Sequence, residues 1–212
     1  MVNMEIVLRV LMVLPHILFS YELLLSLLLI APFYMVFRPK VRYLLFGFVA
    51  YTLALIFESL VSSAPVYVLA MVLAPMIEES VKFILAKGRK GAIGVGLGFA
   101  VVENASYFLS FGLSPMFVIM RAAGDPMLHS FSTSIAIKTK ERKWWGLPAA
   151  ISIHSIYNLV GILLSGLPQF YFILIAGCIF FGILLLWSRH GLKLLKLLKL
   201  KLKARSGMEV TK

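Results

Sequence analysis

Apolar positions run in long blocks rather than in strand-like alternation, and short polar or charged turns separate the blocks. A bilayer core of ~30 Å takes ~20 residues of helix to cross. On that measure the chain predicts membrane-length helices at about 16–37, 41–61, 65–86, 91–111, 114–137, 144–165 and 168–188. Residues 1–15, with Arg9 and Pro15, read either as an interfacial helix or as an extension of the first block. The expected fold class is therefore all-α: one polytopic transmembrane helix bundle over residues 1–189, with seven spans, or eight if residues 1–15 also cross. Glu5 and Arg9 interrupt what would be the apolar core of a signal peptide, so the first block is expected to be retained.

Charge orients these blocks. Arg38, Lys40 and Arg42 follow the first, whereas the turn from Ser62 to Pro65 is uncharged. Lys87, Arg89 and Lys90 come next, then the uncharged Ser110 to Pro115. Lys138, Lys140, Arg142 and Lys143 follow, then the uncharged Ser165 to Gln169, and Arg189 is basic again. Positive charge marks cytoplasmic turns, so this alternation places the N-terminus outside and the C-terminus in the cytoplasm of a multi-pass cell-membrane protein. The tail, residues 190–212, spaces Lys193, Lys196, Lys199 and Lys203 among leucines. It predicts a basic amphipathic helix lying on an anionic leaflet.

Composition agrees with lipid as the solvent. The 212 residues are 61% hydrophobic and only 14% charged, against about half and about a quarter in soluble domains. The net charge of +12 sits in turns and tail rather than on a basic face interleaved with exposed aromatics, so no nucleic-acid partner is expected. Cys178 stands alone in an apolar block, which excludes an internal disulfide or a thiolate metal cluster.

Within the blocks, several ionisable groups need a reason, because a charge at mid-bilayer costs about 2.5–3.5 kcal/mol on insertion scales. Glu78, Glu79 and Lys82 lie in the third block, Glu103 and Asn104 in the fourth, Arg121, Asp125 and His129 in the fifth, His154 and Asn158 in the sixth. Counted from the cytoplasmic ends at ~1.5 Å per residue, Glu78, Glu79, Glu103, His129 and His154 all fall ~12–18 Å above the cytoplasmic edge of the core. Four helices therefore bring acids and bases to one level, which predicts a shared hydrated cavity. Glu58 and His16 lack such company and read as structural or interfacial.

Local spacing divides the labour. Lys82 stands at i+4 from Glu78 and i+3 from Glu79, so one carboxylate pairs with the ammonium and the other is left for general-base chemistry. His154 and Asn158 share a face at i,i+4, a pair that suits an oxyanion. Arg121 and Asp125, also at i,i+4, read as a charge-compensated structural pair, and with Lys82 and Asn104 they count as structural support. Gly91, Gly94, Gly96 and Gly98 follow no strand and precede no GK[ST], so they predict close helix packing rather than a phosphate loop.

Taken in order, Glu78-Glu79-x-x-Lys82, the GxGFAxxEN-like run from Gly96 to Glu103-Asn104, His129, and His154-x-x-x-Asn158 resemble the PrsW family of intramembrane proteases. That family is related to the CAAX prenyl endopeptidases and the bacterial CPBP proteins. The resemblance runs from about residue 20 to about residue 165, with the motifs in the same order. It implies hydrolysis of a peptide bond of a membrane-anchored protein, anti-sigma factors being the precedent for the substrate. It implies Glu78 as the base that activates water and Glu79 as its supporting carboxylate on Lys82. His154 and Asn158 would stabilise the oxyanion. The CAAX-type second motif, FxxxH, is here Phe99 to Glu103; Glu103 and His129 are then expected to position the water. No cofactor is favoured, although Glu78, Glu103, His129 and His154 could instead hold zinc or another divalent metal. A divalent-metal version of the same protease and a non-enzymatic proton-coupled transporter are the alternatives.

Overall fold

The computed structural model describes residues 15–17, 20–113, 115–140 and 145–164. The seventh predicted block, 168–188, the tail 190–212 and nearly all of residues 1–15 lie outside the described residues, and so does Cys178. Among the described residues the secondary structure is helical throughout, with no strand.

Helix α1 (Tyr21–Phe37) starts five residues later than its apolar block predicts. Ser20 is extended and its Oγ accepts a hydrogen bond from the Leu23 N–H at 3.2 Å, so it caps the helix and splits the block. The helix ends at Arg38, which takes a left-handed conformation (φ 45°) before Pro39. Helix α2 spans Val41–Leu60. The third block is one helical rod with a wide turn inside it: Val66–Val68 is α-helical, Leu69–Leu73 is π-helical, and α3 (Ala74–Leu85) continues. Helix α4 (Gly88–Phe111) follows a two-residue connection, and α5 (Pro115–Lys140) and α6 (Gly146–Leu164) complete the described chain. Three helical stretches, Val41–Leu60, Gly88–Phe111 and Gly146–Leu163, are long and apolar enough to cross a membrane.

Helix α4 is the axis of the bundle. It packs against α5, α2 and α1, while α6 packs on α5 and α3. Every residue from Gly91 to Val102 on α4 is buried. The glycine run explains how. A Cβ on Gly47 of α2 would stand 2.5 Å from the Phe99 backbone nitrogen, and a Cβ on Gly98 would strike the Leu44 backbone. The two helices thus meet main chain to main chain, as the small-residue spacing predicted. On the opposite face a Cβ on Gly96 would lie 2.5 Å from the carbonyl of His129. That second close approach draws α5 onto α4 at the level of its histidine.

Polarity is arranged inside out. Leu24, Leu28, Val36, Val66, Ile84 and Leu163 face outward, each more than 60% exposed. Glu22, Glu78, Glu79, Lys82, Asn104, Asp125, His129 and His154 are all buried. Large apolar side chains outside and polar or ionisable ones within are what a lipid solvent selects.

Candidate active site

Six of the residues singled out in the sequence meet in one cluster: Glu78, Glu79 and Lys82 of α3, Glu103 of α4, His129 of α5 and His154 of α6. The turn spacing of α3 sets the first three. Lys82 Nζ is fully buried, 2.6 Å from Glu79 Oε1 and 3.9 Å from Glu78 Oε2. The ammonium also lies over the Phe99 ring, 4.5 Å from its centroid. As the spacing predicted, one carboxylate is taken by the lysine, and it is Glu79.

Glu79 is the anchor of the site. Its Oε1 accepts from Lys82 Nζ, from Ser132 Oγ at 3.0 Å and from His154 Nδ1 at 2.9 Å. An ionised carboxylate only accepts, so His154 carries its hydrogen on Nδ1 and leaves Nε2 as the reactive nitrogen. Glu78 is held differently. Its Oε2 is buried and makes no hydrogen bond. That atom lies 3.9 Å from Lys82 Nζ, 4.0 Å from His129 Nδ1 and 3.9 Å from His154 Nδ1. The gap is too long for direct bonds.

His129 has both nitrogens engaged. Nδ1 is 2.7 Å from Lys82 Nζ and Nε2 is 2.6 Å from Glu103 Oε2. An ammonium has only hydrogens to offer, so Nδ1 accepts from it and Nε2–H donates to Glu103. The two residues expected to position a water are thus spent on each other and on Lys82; they form a wall of the site. The His129 and His154 rings meet edge to face with centroids 5.2 Å apart.

Behind this wall lies a second polar group. Arg121 pairs with Asp125 at 2.6 Å, as the i,i+4 spacing predicted, and also reaches Glu103 Oε2 at 3.3 Å. Its Nε donates to Asn104 Oδ1 at 2.8 Å, and its guanidinium stacks 3.7 Å from the Tyr107 centroid. Tyr157 donates to Asp125 Oδ1 at 3.0 Å. The pair is therefore not isolated scaffold: it fixes the carboxylate that holds His129. Asn158 stands apart from the cluster, donating from Nδ2 to the Ala70 carbonyl at 2.8 Å.

Ser132 was not singled out in the sequence, and Glu58, read there as structural or interfacial for lack of company, does have it. Ser132 lies three residues after His129 on the same helix face, a spacing that was readable once His129 was in hand. Glu58, half-buried near the end of α2, lies within electrostatic reach of Glu103, Glu78 and Lys82. Its partner groups sit on other helices, so no local spacing announces it.

Three of these side chains are of the kind that bind a divalent metal. Glu78, His129 and His154 each offer one ligand atom, all within 4.8 Å of one another. Zinc needs its nitrogen and oxygen ligands about 2.0–2.2 Å away. Lys82 Nζ, 2.7 Å from His129 Nδ1, already fills that space with a positive charge, and the other nitrogen of His129 is held by Glu103. Lys82 and Glu103 thus compete with an ion for His129, while the ligand atoms of Glu78, His129 and His154 stay close enough to one another to share one. Comparison of the chain with family models, with characterised proteins and with solved structures finds no match.

Proposed function

We propose that this chain is a polytopic membrane hydrolase, with its water-activating carboxylate buried among the helices. More particularly, we assign it as an intramembrane endopeptidase of the PrsW type, which cuts a membrane-anchored protein within or beside the bilayer. The observation that carries the reading is Glu78. It is a buried carboxylate oxygen without a hydrogen bond, about one water's width from two imidazoles. Its neighbour Glu79 has three donors. Glu22 Oε2, Glu79 Oε2 and Asp125 Oδ2 are also without a hydrogen bond; what supports Glu78 as the reactive acid is that its orphan oxygen faces Lys82 and both imidazoles at once.

In the proposed reaction a water bound at Glu78 Oε2 attacks the peptide carbonyl and gives its proton to that carboxylate. The tetrahedral intermediate collapses as the C–N bond breaks, and the departing amine takes up the proton that Glu78 received from the water, which frees the carboxylate again. His154 is the carrier for this transfer. Glu79 holds its Nδ1–H as the carboxylate of a hydrolytic triad holds its histidine, leaving Nε2 to pass the proton. This moves His154 from the oxyanion to the proton relay, because the anchored tautomer presents an acceptor. Lys82, His129, Glu103 and Arg121 keep the two glutamates apart and fixed.

The proposed placement is the cell membrane, with seven spans, an external N-terminus and a cytoplasmic C-terminus. Its support is the alternation of basic and uncharged turns together with the apolar outer surface. The substrate class is a membrane-anchored protein, of which an anti-sigma factor is the precedent. Co-expression with tagged single-span proteins tests the assignment. Cleavage is expected with the wild type and is expected to vanish in Glu78→Ala and His154→Ala, both still inserted. Full cleavage by both variants would contradict it.

A further inference from the structure

The π-helical turn and the position of Asn158 have one cause, and it lies in Pro75. In an α-helix the carbonyl of Met71 would take the N–H of residue 75. Proline has none, and its ring presses on that carbonyl. The helix answers by widening: the Ala74 N–H reaches back five residues to the Leu69 carbonyl, making the π segment Leu69–Leu73. In that register the next donor, for the carbonyl of Ala70, would again be residue 75. With Ala74 used and Pro75 lacking a hydrogen, Ala70 has no backbone donor. Asn158 Nδ2 of α6 supplies one at 2.8 Å. Where water is scarce an unpaired carbonyl is costly, so this side chain completes the main-chain bonding of the neighbouring rod.

The consequence reaches the site. Pro75 lies three residues before Glu78, so the width of the π turn sets both the rotation and the depth at which α3 presents Glu78 and Glu79. One turn earlier on α6, His154 bonds Glu79 directly. Adjacent to Asn158, Tyr157 bonds Asp125. Three polar contacts of α6 thus clamp the π segment, α3 and α5 in one register. We infer that Asn158 is a positioning residue: its carboxamide caps the Ala70 carbonyl that Pro75 leaves without a donor, and so fixes the register at which α3 presents Glu78. The statement about Glu78 rests on the protease reading; the cap itself does not.

A double-mutant cycle tests both parts. Asn158→Leu keeps the size of the side chain and removes its donor; Pro75→Ala restores an N–H at position 75. Thermal midpoints of the detergent-solubilised protein and kcat and KM for cleavage of a single-span substrate are read in all four forms. Asn158→Leu alone is expected to lower the midpoint and to reduce kcat about 10- to 100-fold with KM little changed, the cost of a small displacement of the reacting groups. In the Pro75→Ala background the same substitution is expected to cost well under half as much by either readout. Equal losses in both backgrounds would overturn the inference, because a group acting directly on the reaction is indifferent to residue 75. If Asn158→Leu alone cannot be recovered folded, recovery of the double variant supports the cap and its failure contradicts it. Should Pro75→Ala itself silence cleavage, the thermal cycle decides. If the wild type cleaves nothing, the protease reading falls and the thermal cycle still judges the cap.

Discussion

Lys82 Nζ lies 2.7 Å from His129 Nδ1, so a lysine from α3 dictates which nitrogen of a histidine on α5 bears the hydrogen. The same ammonium is 2.6 Å from Glu79, which ties the tautomer of one histidine to the carboxylate that orients the other. Replacing Lys82 by Met is expected to leave buried Glu79 without its charge partner and to destabilise the protein by about 3–5 kcal/mol. Thermal unfolding in detergent measures this; a midpoint equal to the wild type would contradict the arrangement.

The two adjacent glutamates should respond in opposite ways. Glu78→Gln removes no hydrogen bond from Oε2, so the fold is expected to hold while cleavage drops by about 10²-fold or more, the range for loss of a general base. Glu79→Gln weakens three donors' shared acceptor, so it is expected to lower the thermal midpoint as well. Paired melting and cleavage assays on both variants separate the roles.

Close packing at one glycine carries the position of His129. A methyl group at Gly96 would stand 2.5 Å from the His129 carbonyl and push α5 away from α4. Gly96→Ala is expected to cost about 1–3 kcal/mol, as overpacking does, and to impair cleavage. Gly161→Ala, where a Cβ would meet nothing within 4 Å, is the control and should be close to neutral.

Arg121 is expected to matter for activity beyond its pairing with Asp125, because it also holds Glu103. Arg121→Met should reduce cleavage, and Asp125→Asn should reduce it less, since Glu103 keeps its arginine. Equal effects of the two would place the importance in the Arg121–Asp125 pair instead.

A strong chelator is expected to leave cleavage unchanged, and elemental analysis of the purified protein to find no stoichiometric zinc. The ground is the ammonium of Lys82, which occupies His129 Nδ1 at 2.7 Å and lies 3.9 Å from Glu78 Oε2. Stoichiometric metal with chelator-sensitive activity would contradict this.

Much of this arrangement was readable in the chain. Among the described residues, the length of the apolar blocks anticipated the helices, because burial of the backbone in lipid leaves little choice but helix. Counting depth from the charged turns brought Glu78, Glu79, Glu103, His129 and His154 to one level, and they are in contact. Rotation about each helix axis was the missing variable. It decides that Arg121 faces Glu103 as well as Asp125, and that Asn158 faces Ala70. Pro75 was not read as a disturbance of its block, and whether a proline kinks a helix, ends it or widens a turn depends on what the neighbouring helix offers the freed carbonyls. Ser20 was similarly silent, since its cap competes with an apolar block that reads through it.

The most direct test works on the whole set of membrane proteins and requires no chosen substrate. New N-termini of membrane proteins are to be compared in cells producing the wild type and cells producing Glu78→Gln at equal levels. Termini inside or beside membrane spans are expected with the wild type and not with Glu78→Gln; identical sets of termini in the two would contradict the protease reading.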